Sequence, residues 1–230
     1  MVSRRRLWPR PRHRTIHCGR TRWHAGGRVF AVWRCAARGA HPAPAHGVAV
    51  STGTPALEHL ARAKIPHRVH RYEAPPLGGR GPSRGERASY GESAAAALNI
   101  PTAQMFKSLV VGLEPAPAPP KASDARRESA GIVLLPVDRE ANLKLVARAF
   151  GARSASLLDS AAVTRITGYV VGGVSPFGTK RQLPVVADES LLSTPRIFLS
   201  AGQRGWAIEL AGDDLVRELR AVVAPIVAQE

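Results

Sequence analysis

Three absences divide the 230-residue chain. No aspartate or glutamate occurs before Glu58, no cysteine after Cys35, and no histidine after His70. Without cysteine, residues 51–230 have no disulfide, thiolate metal site or cysteine nucleophile. No uninterrupted apolar run reaches the roughly 20 residues that a membrane-spanning helix needs. No secretory signal pattern is evident, so a cytoplasmic location and no membrane partner are expected. Hydrophobic content is 44%, ordinary for a globular chain.

Charge is the main asymmetry. The net charge is +16, and the eleven arginines of residues 1–50, unopposed by any acid, carry +11 of it. Two readings of this arm compete. An Arg-rich, acid-free segment suits a transit peptide or a nucleic-acid-binding arm. Alternatively, its Arg, Ala, Gly and Pro are what GC-rich DNA encodes ahead of a true start near Val48 or Val50, and the composition favours this second reading. Residues 1–50 are therefore expected to be a basic, disordered arm, and residues 51–230 the functional domain.

Local signals order that domain. Thr54-Pro55 is an N-cap followed by proline at the first helical position, and Leu57, Leu60 and Ala61 recur at helical spacing. Residues 67–72 suit a short strand. Pro75–Arg87 is Gly/Pro/Arg-rich and should be a loop. Ser89 with Glu92 forms a capping box for a helix through Leu98. Met105–Leu113 and Gly131–Val137 are strands, separated by a Pro/Ala/charge-rich excursion that cannot bury a core. A third helix is expected over Ala141–Phe150, ending at Gly151, and a fourth from Asp159 to near Gly168. Strands follow near Leu183–Ala187, Arg196–Leu199 and Trp206–Leu210, with a last helix over Asp213–Ala228. Strands and helices mix without strict alternation. This predicts an α/β (mixed α+β) domain with a β-barrel-like mixed sheet and peripheral helices.

Several chemistries fail on spacing. Gly178-Thr179-Lys180 does not follow the P-loop order, where lysine directly follows the last glycine. Gly173-Val174-Ser175-Pro176-Phe177 lacks the second glycine of a nucleophile elbow, and no histidine lies downstream of Ser175. His67 and His70 lack a clustered third metal ligand, so neither metal nor cofactor is expected. Two features remain. Lys107 interrupts the apolar run Met105–Val111, where it either lines a cleft or snorkels at a strand end. Gly172–Gly178 (GGVSPFG) permits a backbone path closed to other residues and can aim N–H and C=O groups at a ligand, or it simply makes a tight connection.

Together and in this order, the strand lysine of MFKSLVV and the block TGYVVGGVSPFGTKRQLPVVAD resemble the YbaK/prolyl-tRNA-synthetase-associated editing domain family. TPALEHLARAKIPHRVHRYE and FLSAGQRGWAIEL resemble further segments of it, so the likeness runs from Thr54 to the C-terminus. It implies an aminoacyl-tRNA deacylase nearest the freestanding bacterial enzymes that clear cysteine from tRNA(Pro), with wider relatives that remove alanine. On that likeness Lys107 is the essential lysine at the tRNA's terminal adenosine or the aminoacyl carbonyl. Gly172, Gly173, Ser175 and Pro176 shape the loop presented to the amino acid, and Tyr72, Ser108, Ser200 and Glu209 complete the pocket. The mechanism it implies needs no protein nucleophile, because the substrate's thiol attacks its own ester and leaves as a thiolactone. The implied partners are the acceptor end of a mischarged tRNA and prolyl-tRNA synthetase. One departure stands out. Ala207 occupies the place of an aspartate in the bacterial cysteine deacylase, which leaves its contact to Glu209 or water and the amino-acid specificity open. A non-catalytic module for a synthetase or for RNA is the alternative class.

Overall fold

A computed structural model describes residues 19–25, 28–34, 53–74, 90–115 and 129–228. The chain divides into two units, Met1–Gly47 and Val48–Glu230. In the first, strands β1 (Gly19–Ala25) and β2 (Arg28–Arg34) pair antiparallel. The rest of the arm expected to be disordered lies outside the described residues. So do the expected loop Pro75–Arg87, the cap at Ser89 and most of the excursion after Leu113.

The second unit begins with α1 (Pro55–Arg62), as Thr54-Pro55 predicts: Thr54 Oγ1 accepts from the Leu57 N–H at 3.3 Å. Ala56, Leu57 and Leu60 line its buried face. Next come β3 (His67–Arg71), α2 (Tyr90–Leu98), β4 (Phe106–Pro115), β5 (Ser129–Pro136) and α3 (Leu143–Phe150). They are followed by β6 (Ala152–Leu157), α4 (Ser160–Thr167), β7 (Val185–Asp188), β8 (Ile197–Ser200), β9 (Trp206–Leu210), α5 (Gly212–Leu219) and β10 (Val222–Ala224). The mixed α/β fold follows expectation, with the strands divided between two sheets. The larger runs β10-β7-β5-β4-β6, and the smaller β3-β9-β8. A parallel bridge between Met105 and Phe198 joins them.

Alternation along the central strands fills two cores. On β4 and β5, Phe106, Val110, Ile132 and Leu134 face a main core shared with α1, α4, β8 and β9. Leu109, Val111, Val133 and Leu135 face α3 and the chain's end. Burial on both faces explains why β5 reads as an unbroken apolar run. Left-handed glycines close two helices, Gly151 (φ 69°) after α3 and Gly168 (φ 83°) after α4.

Three expectations need correction. The third helix starts at Leu143 rather than Ala141, because Asn142 accepts the Lys144 and Leu145 N–H groups and so caps it. β6 was not anticipated, since ARSASL contains no alternating large apolar residues. The last helix stops at Leu219 instead of reaching Ala228. Arg220 turns left-handed (φ 50°), and β-branched Val222 and Val223 then pair in parallel with β7.

Candidate active site

Lys107 is half-buried on the β4 face that also carries Leu109 and Val111. Its Nζ donates to the carbonyl of Val137, just past β5, at 3.1 Å. Burial pulls the amine below its ordinary pKa of 10.5, while Glu92, Glu140 and Asp138 act in the opposite sense. The lysine is thus a cation held partly out of water, where a charge acts more strongly than at the surface. Ser108, next on the strand, points to the opposite face with Phe106 and Val110. Its Oγ is buried with no hydrogen-bond partner among the described residues.

The glycine-rich segment is held from both ends. The Tyr169 hydroxyl donates to the carbonyls of Phe177 (2.8 Å) and Gly178 (3.3 Å). Gly173 N–H donates to Val170 O at 2.9 Å. Backbone conformation favours glycine at Gly172, and close neighbours crowd both positions. At Gly172 (φ 85°) a Cβ would stand 3.1 Å from Arg204 Nε and 3.2 Å from the Tyr90 ring, and at Gly173 one would stand 3.3 Å from Arg204 N. Arg204 clamps this approach. Its Nε and Nη2 donate to Val171 O (3.0 and 2.5 Å), and its guanidinium lies 5.0 Å over Tyr90. Pro176 is buried and Ser175 is fully buried. Ser175 Oγ accepts the Phe177 N–H at 3.4 Å, so both residues build the turn from beneath and do not line an open pocket.

The first turn of α2 brings the lysine and the loop together. Tyr90 rests on Gly172. Gly91 packs so closely on Val137 that a Cβ there would stand 2.9 Å from Val137 Cβ and nearer still to Cγ1. Glu92, one residue further, is among the acids acting on Lys107. Three consecutive residues therefore run from the glycine loop to the carbonyl that holds the amine.

One face of the small sheet supplies the remaining expected residues. Register aligns Arg68 with Glu209 and Phe198, and His70 with Ala207 and Ser200. Alternate residues share a face, so Tyr72 follows His70 on this side. Tyr72 packs with Ala94, Ala95, Met105, Val137 and Phe198. Burial pushes its phenol pKa up, partly offset by a backbone hydrogen bond from Gly205. Ser200 Oγ accepts the Gly202 N–H at 3.2 Å. Glu209 is already paired, with His70 Nε2 at 2.8 Å and Arg196 Nη1 at 3.5 Å. Sequence reasoning missed Tyr90, Gly91 and Arg204, and weighed His70 as a metal ligand. Only Gly91 left a signal, a glycine in the first turn of a helix. A surface cavity of about 450 Å³ bordered by Phe150, Leu183 and Val222 includes none of these residues. No group of three or more His, Cys, Asp or Glu among the described residues could hold a metal. No helix among them is long and apolar enough to cross a membrane.

The aminoacyl-tRNA editing domain family matches residues 86–218. The Enterococcus faecalis (strain ATCC 700802 / V583) protein named "Putative Cys-tRNA(Pro)/Cys-tRNA(Cys) deacylase EbsC" is 32% identical over 140 residues, 60% of this chain and 77% of that protein. Among solved structures, "a putative trans-editing enzyme for prolyl tRNA synthetase" superposes with a TM-score of 0.59 at 22% identity, over 78% of this chain and 100% of that one. The hypothetical protein APE2540 superposes with a TM-score of 0.60 at 22% identity, over 76% and 99%.

Proposed function

Because the chain belongs to the aminoacyl-tRNA editing domain family, we propose that it is a deacylase of mischarged tRNA whose substrate is Cys-tRNA(Pro). The observation that carries this reading is the placement of Lys107. A half-buried amine sits on the Val137 carbonyl, and consecutive residues of the first turn of α2 touch Val137 (Gly91) and the Gly172–Pro176 loop (Tyr90). Such a cation suits the terminal phosphate or the carbonyl oxygen of an aminoacyl ester, where charge develops as the ester is attacked. The name of the Enterococcus faecalis relative supports cysteine as the amino acid.

The chemistry asks little of the protein. An aminoacyl ester is activated, and the cysteine thiol lies within its own molecule, so orientation supplies most of the acceleration. Lys107 holds the ester, the Gly172–Gly173 backbone and Tyr72 bound the amino acid, and the thiol closes on the carbonyl carbon. Ser200 lies on the same sheet face as Tyr72, while Ser175 and Pro176 act by holding the loop. Residues 51–230 carry only +5 of the net charge. This supports a weak grip on the acceptor end, with prolyl-tRNA synthetase as the partner that delivers the tRNA.

The test is a panel of tRNAs charged with cysteine, serine and alanine, assayed with wild type and Lys107→Ala. Cleavage of Cys-tRNA(Pro) but not its serine counterpart, and its loss in Lys107→Ala with an unchanged thermal midpoint, is expected. An unchanged rate in the variant overturns the role of Lys107. Cleavage of the alanyl ester instead moves the substrate to a small amino acid. Salt-sensitive RNA binding without deacylation favours a non-catalytic module.

A further inference from the structure

Beside Tyr72 and Ser200, the small sheet carries an acid–imidazole pair that the reading above does not use. Register sets His70, Ala207 and Ser200 abreast on β3, β9 and β8. His70 Nε2 lies 2.8 Å from Glu209 Oε2. A carboxylate there accepts, so Nε2 is the donor to Glu209, and in the neutral ring Nδ1 carries the lone pair. The His70 ring lies 5.3 Å from Phe198, tilted at 56°. Phe198 shares an apolar cluster with Tyr72 and Val137, and Val137 O receives the Lys107 amine. The imidazole therefore packs on a ring of the same apolar cluster that contains the residue seating the lysine. His70 and Glu209 side chains are 26% and 14% exposed, which leaves the imidazole reachable while its partner is largely enclosed. The charged groups around it are Glu209, Arg196 and Arg68, with Tyr72 beside it on the same face.

We infer that His70, oriented by Glu209, is the proton shuttle of the deacylation. The inference rests on the deacylase reading and adds to it the base that the reading lacks. Nδ1 takes the proton from the substrate's thiol as sulfur bonds to the ester carbon. As the carbon–oxygen bond to the ribose breaks, the imidazolium returns that proton to the leaving 3′ oxygen. The products are a thiolactone and tRNA with a free terminus, and the histidine ends neutral. Glu209 acts through His70 and is a positioning residue.

The experiment compares wild type, His70→Ala, His70→Gln and Glu209→Gln on Cys-tRNA(Pro) in single-turnover assays, with thermal unfolding of each. Loss of a general base costs on the order of 10²–10⁴-fold in rate. His70→Ala should lose a factor in that range with KM little changed, and added imidazole should restore part of it. His70→Gln, which can still bond Glu209, should be as slow and should lack the acid limb of the wild-type pH–rate profile. Glu209→Gln should show a smaller loss. An active wild type alongside a His70→Ala that keeps its rate, or whose loss imidazole does not relieve, overturns the inference alone. A wild type inactive on every charged tRNA overturns the deacylase reading and the shuttle with it.

Discussion

Gly91→Ala tests whether the first turn of α2 couples the lysine to the glycine loop. The added methyl would stand 2.9 Å from Val137 Cβ and closer to Cγ1, whereas ordinary contact begins at 3.4 Å. Neither neighbour is a flexible side-chain end, so the turn must retreat by about 1 Å. Alanine stabilises a helix by roughly 0.5–1 kcal/mol over glycine, and overpacking costs roughly 1–3 kcal/mol. The net loss of about 0–2.5 kcal/mol corresponds to at most about 10 degrees in the unfolding midpoint at this size. The effect on catalysis should be much larger. A shift of that size carries Tyr90 off Gly172 and Glu92 away from Lys107, and a 1 Å misplacement can cost about 10²-fold. Deacylation kcat/KM, measured beside thermal unfolding, should therefore fall by one to two orders of magnitude (about 10²-fold at most) in a protein that remains folded. Val137→Ala removes the nearer methyl contact but keeps Cβ and the carbonyl that holds Lys107, so the double variant should recover part of the loss. Wild-type kcat/KM in Gly91→Ala, or a double variant no better than the single, would refute the coupling.

Two further predictions concern titration and the loop's support. Burial, with Glu58 adding and a backbone hydrogen bond at Ala56 opposing, pushes the Tyr169 phenol up to about 12. Its stabilisation is present below pH 10 and disappears as pH rises through about 12, so the gap in unfolding midpoint between wild type and Tyr169→Phe should narrow over that interval. At neutral pH the variant should lose about 1–3 kcal/mol, because the Phe177 carbonyl loses its donor, and a chemical denaturation series will read this. Lys107 behaves oppositely. Its native pKa lies below 10.5, so its contribution is fully present above pH 10.5 and lost as pH falls through the native value. Relative to Lys107→Met, wild type should gain stability as pH approaches 10.5, and a pH-independent difference would show that the amine is not desolvated.

Much of the fold was legible where one residue type settles a local choice. Thr54-Pro55, Asp159 and the left-handed Gly151 and Gly168 set helix ends through their own backbone preferences. β6 escaped because its small residues pack by position in the sheet and show no hydrophobic pattern. α5 was overextended because Val222, Val223 and Ile226 continue an apolar pattern that parallel pairing with β7 then claims. At the site, Lys107 and the glycine pair each break a local rule and so announced themselves. The Arg204–Val171 clamp spans 33 residues and the His70–Glu209 pair 139. Partners that distant leave no mark in any window of sequence, and Glu209 therefore read as a pocket residue without its partners.

The opening of the domain has a consequence for anyone shortening the chain. The Thr54 hydroxyl donates to Ala201 O at 2.5 Å, and Gly178 lies so tightly under α1 that a methyl there would reach 2.9 Å from Ala56 N and run into the Pro55 carbonyl. Both the strip before Arg204 and the far end of the glycine loop thus lean on the same three residues. A shortened or fused form keeps its working surfaces in place when the cut or graft falls ahead of Thr54, while trimming two or three residues further releases both at once.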